Sequence, residues 1–368
     1  MMQTEISMRA SAPGATHHPA AQEQDGAILR LDKLSIHLGE GEAARKVVDE
    51  ISLTIRAGEC TALVGESGSG KSLTSLAIMR LLPASMHVSG SIILRRQTGT
   101  LVNVTSLPRS ELTSIRGRDI GMIFQEPMTS LNPLLTVGEQ ISEMFVVHRK
   151  ESRQDANRHA EEMLTRVGIP EARTRLAAMP HELSGGMRQR VMIAIAIACD
   201  PSVVIADEPT TALDVTIQAQ ILDTLRGLQE RSRGMLFVSH DLGVIAEVAD
   251  RVHVMYAGQV IESGSVDAIL LRARHPYTQG LVASVPRIDR PQPRGVALYS
   301  IPGRVPELTK MPPGCRFHPR CVHAVAGLCD KVVPSIEATE DDGEVRCLRW
   351  REIDGIVLPS TSRAGGAT

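Results

Sequence analysis

The chain has 368 residues, 42% hydrophobic and 22% charged, an ordinary make-up for a soluble globular protein and too long for one typical core, so about two domains are expected. A formal net charge of -2 and an aromatic content of 2% exclude a basic nucleic-acid binder and a base-stacking platform. The longest apolar run, Val191 to Cys199, is far short of a membrane span, and the N-terminus has no apolar stretch of the secretory type, so a cytosolic protein is expected whose membrane contacts go through a partner.

Residues 1–26 are rich in Ala, Ser, Gln, His and Gly and read as a mobile tail, with His17-His18 a solvated pair rather than a metal site. Ile28–Leu38 partly alternates and predicts a strand, and Val47–Ile55 predicts the next, across the polar turn Gly39–Arg45. Ala57-Gly58-Glu59 turns the chain into a short apolar strand, Cys60–Val64. Then comes Gly65-Glu66-Ser67-Gly68-Ser69-Gly70-Lys71-Ser72, followed by a helical pattern from Leu73 to Leu82 that Pro83 stops. This stretch fits the phosphate-cradling pattern G-x-x-x-x-G-K-[ST] in its strand–loop–helix setting. Glycines let the backbone curl so that successive N–H groups face a polyphosphate, and the following helix adds its positive dipole end. Lys71 can reach the β- and γ-phosphates, and the Ser72 hydroxyl can take one site on Mg²⁺. A chance Gly/Ser turn would not match all four fixed positions and both flanks.

Val88–Leu94 and Ile120–Phe124 predict further strands, the second ending at Gln125 before the shaped loop Glu126-Pro127-Met128-Thr129-Ser130-Leu131-Asn132-Pro133. Val137 to about Val167 is helical, interrupted by the polar Lys150–Asn157. In His181–Arg190, Ser184 and the two glycines after it can cap a helix running to Ala198 and leave free N–H groups at its start. Ser202–Ala206 predicts a buried strand ending in Asp207-Glu208-Pro209. Adjacent acids at the end of an apolar strand are costly unless they have a task. Beside a phosphate loop, the first can hold Mg²⁺, directly or through water, and the second can accept a proton from an attacking water. Gly234–Ser239 is another apolar strand, ending at His240-Asp241; a histidine there can bond the γ-phosphate, though alone it reads as an ordinary surface or core histidine.

Cys60 and Cys199 lie in apolar segments and read as small buried hydrophobes. Cys315, Cys321, Cys329 and Cys347 are spaced C-x5-C-x7-C-x17-C, and in a cytosolic protein such a cluster points to metal before disulfide. Four thiolates suit a [4Fe–4S] cluster or tetrahedral zinc. Zinc sites usually carry close C-x2–4-C pairs, which are absent, and plain thiols are a third reading.

Taken in order, Gly65–Ser72, Gln125, Leu183-Ser184-Gly185-Gly186-Met187, Asp207-Glu208, Ala212-Leu213-Asp214 and His240 resemble the nucleotide-binding subunit of ATP-binding cassette (ABC) transporters over about residues 28–270. The resemblance implies an α/β fold: a RecA-like P-loop ATPase core with an antiparallel β subdomain and a helical insert at about 126–198, within an ATPase domain spanning 27–270. A small Cys-containing extension, 271–352, and a tail, 353–368, would follow. It also implies head-to-tail pairing, each ATP lying between the phosphate loop of one cassette and the signature of the other. By resemblance, Gly65, Glu66, Ser67, Gly68, Ser69, Gly70, Lys71, Ser72 and Leu73 hold nucleotide. Glu208 is the general base, Asp207, Ser72 and Gln125 serve Mg²⁺ and the water, and His240 senses the γ-phosphate. Leu183, Ser184, Gly185, Gly186, Met187 and Asp214 act across the dimer. Two positions depart from the family: Met187 stands where Gln is commonest, and Ile36-His37-Leu38 has no aromatic for adenine, which would pack on His37 or on apolar side chains.

A narrower resemblance is to the oligopeptide/dipeptide importer branch, carried by Gln125–Pro133, Met187–Val191, His275-Pro276-Tyr277-Thr278, Ile301-Pro302-Gly303, Val305-Pro306 and Gly314–Cys321. It implies an ATP-hydrolysing subunit that energises import of dipeptides or oligopeptides, or alternatively of nickel or another small solute. The implied partners are two transmembrane permeases, a second ATPase (a paralogue favoured over a copy) and, indirectly, an extracytoplasmic solute-binding protein. No nucleic acid is implied, and the place would be the cytoplasmic face of the bacterial inner membrane. The cysteine spacing is similar to the iron–sulfur site of some dipeptide-importer ATPases. A soluble cassette ATPase of translation or repair fits less well, since there is one phosphate loop and no sustained heptad pattern. A metal-sensing regulator is disfavoured by the intact ATPase set.

Overall fold

The computed structural model describes residues 26–41, 44–211, 213–229, 233–285 and 299–353. Ala212, His17-His18 and the two expected tails, apart from Gly26 and Ile353, lie outside the described residues.

The chain opens with β1 (Ala27–Leu38) and β2 (Arg45–Arg56), an antiparallel pair. Next come β3 (Cys60–Val64) and α1 (Lys71–Ile78), then β4 (Met86–Arg95) and β5 (Leu101–Asn103), then α2 (Arg109–Ile115) and β6 (Ile120–Ile123). Five helices follow before the next strand: α3 (Pro127–Ser130), α4 (Val137–Arg149), α5 (Arg153–Arg166), α6 (Ala172–Arg175) and α7 (Gly185–Ile197). Then β7 (Val203–Asp207), α8 (Val215–Gln229), β8 (Gly234–Ser239), α9 (Leu242–Val248), β9 (Arg251–Tyr256) and β10 (Gln259–Ser265) alternate. The described part closes with α10 (Val266–Leu271), α11 (Pro276–Ser284), β11 (Glu337–Ala338) and β12 (Glu344–Val345).

Two sheets organise these elements. One is antiparallel, in the order β2-β1-β4-β5; the other runs β11-β12-β10-β9-β3-β8-β7-β6. In the larger sheet β9, β3, β8, β7 and β6 are parallel, and β10, β12 and β11 add an antiparallel edge. Every residue of β3, β7 and β8 is buried, as expected for parallel strands covered on both faces, which explains why they read as unbroken apolar runs. One apolar core, built on Leu29, Ile36, Leu63, Ile78 and Leu236, joins the small sheet to one face of the large one. A second, built on Val64, Phe145, Ile193, Phe237 and Ile245, lies under the helices and reaches Tyr277 and Phe317. The segment 271–352 therefore shares a core with the ATPase-like part and also extends its sheet through β12.

Two helix limits differ from the sequence reading. The helix after the phosphate loop stops at Ile78 rather than at Pro83, because Arg80 takes a left-handed φ of 51° and the Arg116 guanidinium takes up the carbonyls of Met79 and Arg80 at 2.9 Å. The break expected at Lys150–Asn157 is shorter: Lys150 turns left-handed, and the Ser152 side chain accepts from Asp155 N, so Arg153–Asn157 already belong to α5. Ala156, Ala160, Met163 and Leu164 give α5 a buried stripe at helical spacing, which holds this polar segment in the helix.

Candidate functional site

The parallel strands all end on one side of the large sheet, and register brings their ends together. Val64 pairs with Ser239, Val238 with Asp207, and Ala206 with Ile123. The residues just past these ends are the phosphate loop, His240, Glu208 and Gln125. In open α/β sheets the carboxyl ends of the strands are where ligands sit, because the loops there are free to present side chains and amides.

Two glycines of the loop have definite reasons. A Cβ on Gly65 would lie 2.1 Å from the carbonyl oxygen of Met255 on β9, and Gly70 has φ 105° at the N-cap of α1. Lys71 folds back over the loop, its Nζ donating to the carbonyls of Gly65 at 2.7 Å and Glu66 at 3.1 Å. Burial lowers its pKa, opposed by the charges of Glu208, Asp207 and Glu66. The Ser72 hydroxyl donates to Asp207 Oδ1 at 3.1 Å, which joins the loop to the end of β7. Burial pushes Asp207 up to about 6, with the neighbouring Glu208 charge adding to the rise and the Ser72 bond and Lys71 opposing it. Ser72 and Asp207 thus form a compact oxygen pair suited to a hard cation such as Mg²⁺.

Glu208 is held more tightly than its neighbours. It sits at a left-handed φ of 48°, and its amide donates to Val238 O at 2.9 Å. Its Oε2 accepts from Gln125 Nε2 at 3.1 Å and from Thr211 Oγ1 at 3.0 Å, and it lies 3.3 Å from His240 Nδ1. Side chains that follow β6, β7 and β8 therefore gather at one carboxylate oxygen, Gln125 and Thr211 donating to it and His240 lying beside it. Such a constrained, non-glycine left-handed residue is the kind of strain that a binding or catalytic position carries. Thr211 belongs to no motif picked out in the sequence. Its only signal there is its place three residues after Glu208, where a hydroxyl can return to that carboxylate.

The expected signature lies apart from this cluster. Ser184 caps α7, its hydroxyl accepting from Met187 N at 3.3 Å. Leu183 is buried, but Ser184 and Gly185 are exposed, and no hydrogen bond among the described residues joins them to the phosphate loop. Asp214 is exposed as well, its carboxylate accepting from Ile217 N at 2.9 Å at the start of α8. A Cβ on Gly186 would meet Ile217 at 2.7 Å, so the start of α7 rests on the start of α8. His37 is half-buried and bonds Ser89 at 3.3 Å, and Leu38 beside it is exposed.

The four C-terminal cysteines line one small apolar cavity together with Phe317, His318 and His323. They are free thiols, and among the described residues no three His, Cys, Asp or Glu side chains converge closely enough to hold one metal ion. The backbone N–H of Val325 donates to Cys329 Sγ at 3.4 Å. Burial pushes Cys321 up to about 11 and Cys347 up to about 12. Such thiols stay protonated unless a cation is supplied to balance their charge.

The ABC transporter family pattern matches residues 48–211, and the oligopeptide/dipeptide transporter C-terminal region matches 261–329. A Brucella abortus protein described as a peptide import ATP-binding protein is 53% identical over 84% of this chain and 94% of its own length. The oligopeptide transport ATP-binding protein OppD of Escherichia coli is 44% identical, over 87% of this chain and 93% of its own. Among solved structures, a dimeric ATP-binding cassette in a post-hydrolysis state with ADP and Pi is 28% identical with a TM-score of 0.57, covering 65% of this chain and 99% of that one.

Proposed function

Since the chain belongs to the family of ABC transporter ATP-binding subunits, we propose that it hydrolyses ATP to energise a membrane importer of dipeptides or oligopeptides. ATP and Mg²⁺ come with the family; the residue roles are our assignment. Residues Gly65 to Leu73 cradle the phosphates, with the Lys71 ammonium leaving its two carbonyls for phosphate oxygens. Ser72, Asp207 and Gln125 would hold Mg²⁺, which would supply charge neutralisation for the bound polyphosphate. Glu208 takes the proton of the water whose oxygen attacks the γ-phosphorus, and ADP leaves. Gln125 and Thr211 aim that carboxylate, and His240 serves the γ-phosphate. The observation that carries this reading is the convergence of Gln125, Thr211 and His240 on one oxygen of Glu208, next to the Ser72–Asp207 pair.

Exposure of Ser184, Gly185 and Asp214 supports a site that a second cassette completes. The structural relative is itself dimeric. We take the second ATPase to be a paralogue. No described helix is long and apolar enough to cross a membrane, so transport needs permease subunits, two of them by the branch resemblance. The loop after Gln125 offers a surface for them, with Met128 66% and Leu134 83% exposed. An extracytoplasmic binding protein would select the solute, and the chain would sit on the cytoplasmic face of the inner membrane. To test the substrate class, cells lacking the gene and cells with it restored are offered labelled dipeptides, longer peptides and nickel. Restoration is expected to recover peptide uptake; recovery of nickel uptake alone would move the protein to the other branch of the reading.

The four-cysteine site supports a second inference, a [4Fe–4S] cluster held by Cys315, Cys321, Cys329 and Cys347. Four thiols lining one cavity suit a multi-iron group, which takes four thiolate ligands. Bound there, it would staple a segment with few apolar residues of its own. Full-length protein purified without oxygen is expected to carry about four iron and four acid-labile sulfide per chain. Stoichiometric zinc, or four freely titrating thiols with neither metal, would contradict this.

A further inference from the structure

Glu66 places a carboxylate inside a loop that must receive a polyphosphate, and the C-terminal segment deals with that charge. Arg320 reaches it with both ends of its guanidinium, Nη1 to Oε2 at 3.0 Å and Nη2 to Oε1 at 3.1 Å. The guanidinium is itself fixed. Its Nε donates to Pro302 O at 2.7 Å, and its plane lies 5.7 Å from the Tyr256 ring centroid and 6.0 Å from that of Phe317. The Arg320 side chain is only 5% exposed, so this pair is shielded from water and salt more than a surface pair. A second contact comes from α11. The buried Tyr277 hydroxyl accepts the backbone N–H of Glu66 at 2.9 Å. Tyr277, Tyr256 and Phe317 pack ring to ring at 4.7, 5.2 and 5.4 Å, making one rigid aromatic base behind the loop. The carbonyl of the same Glu66 is one of the two that Lys71 holds. One residue of the loop is thus gripped at side chain, amide and carbonyl, two of the three grips coming from the C-terminal segment.

We propose that Arg320 and Tyr277 are positioning residues of the nucleotide site: they cancel the Glu66 charge and pin its peptide, so that the phosphate loop meets Mg–ATP already shaped and without a repelling carboxylate. This rests on the reading of Gly65–Ser72 as the nucleotide cradle. Freed from Arg320, the carboxylate lies within the loop's own reach and opposes a highly charged anion. Freed from Tyr277, a half-buried N–H loses its acceptor and the peptide is free to turn.

The test uses the full chain assembled with its second ATPase, and ATP hydrolysis is measured across Mg–ATP concentrations. Arg320→Gln is expected to raise KM about tenfold while kcat falls less than about twofold, since the reacting groups are untouched. Added to Arg320→Gln, Glu66→Gln is expected to bring KM down to the value of the Glu66→Gln single variant. A purely structural role for Arg320 would show no such rescue. Tyr277→Phe removes one oxygen, keeps the ring packing, and is expected to raise KM about threefold; it decides the matter if Arg320→Gln fails to fold. An unchanged KM in Arg320→Gln or in Tyr277→Phe, or a defect that Glu66→Gln does not relieve, would overturn the proposal. Lys71→Ala reports on the cradle itself. If it kept wild-type nucleotide affinity, the cradle reading would fall and the proposal with it. If Lys71→Ala lost affinity while Arg320→Gln did not, the proposal alone would fall.

Discussion

Glu208→Gln is expected to cut ATP hydrolysis by at least about 100-fold while leaving ATP affinity within about threefold of wild type. The change is nearly isosteric, so Gln125 and Thr211, which donate to Oε2, and the nearby His240 keep most of their geometry, and the hydrogen bond from the residue 208 amide to Val238 O is untouched. What is lost is basicity. A carboxamide cannot take a proton from water, whereas the proposed phosphate cradle is the loop with Lys71 and the Ser72–Asp207 pair. Hydrolysis and nucleotide affinity, measured on the same preparation, should therefore separate. Equal loss of both would mean that Glu208 shapes the cradle and is not the base.

Gly185→Glu is expected to lower hydrolysis by about 100-fold or more, with fold, thermal midpoint and the affinity of a single chain for ATP little changed. Within the chain a Cβ at Gly185 meets nothing within 4 Å, and its φ does not lie in the left-handed region, so the chain itself tolerates a side chain there. In the proposed pairing a partner's nucleotide takes that space. The added carboxylate would occupy it and repel the γ-phosphate from the N-terminus of α7, where exposed amides and the helix dipole favour an anion. This contrasts with Gly65, where a Cβ would collide with Met255 O inside the same chain and damage the loop directly. A Gly185→Glu protein that folds, binds ATP and hydrolyses it normally would remove the reason for placing a second cassette at the signature.

Much of the strand-end site is legible in the amino-acid sequence, and for a physical reason. Parallel strands buried on both faces appear as apolar runs, and the polar residue that ends each run is the residue delivered to the ligand edge; Gln125, Glu208 and His240 are of this kind. The end of α1 is not legible, because it depends on Arg116, far along the chain, reaching the carbonyls of Met79 and Arg80. Arg153–Asn157 has the polarity and propensity of a break, while packing of Ala156 and Ala160 keeps the turn helical. The support of the loop is hidden more deeply. Tyr277 and Arg320 stand in motifs that the sequence displays, yet they meet Glu66 across 211 and 254 residues. Only the fold shows that the C-terminal segment returns to the phosphate loop.

If hydrolysis at this strand-end cluster drives import, peptide uptake depends on it in native cells whose only copy of the gene carries Glu208→Gln. With the protein at its normal level, uptake of labelled peptide is expected to fall to that of cells lacking the gene. Wild-type uptake in those cells would mean that hydrolysis at Glu208 does not drive import.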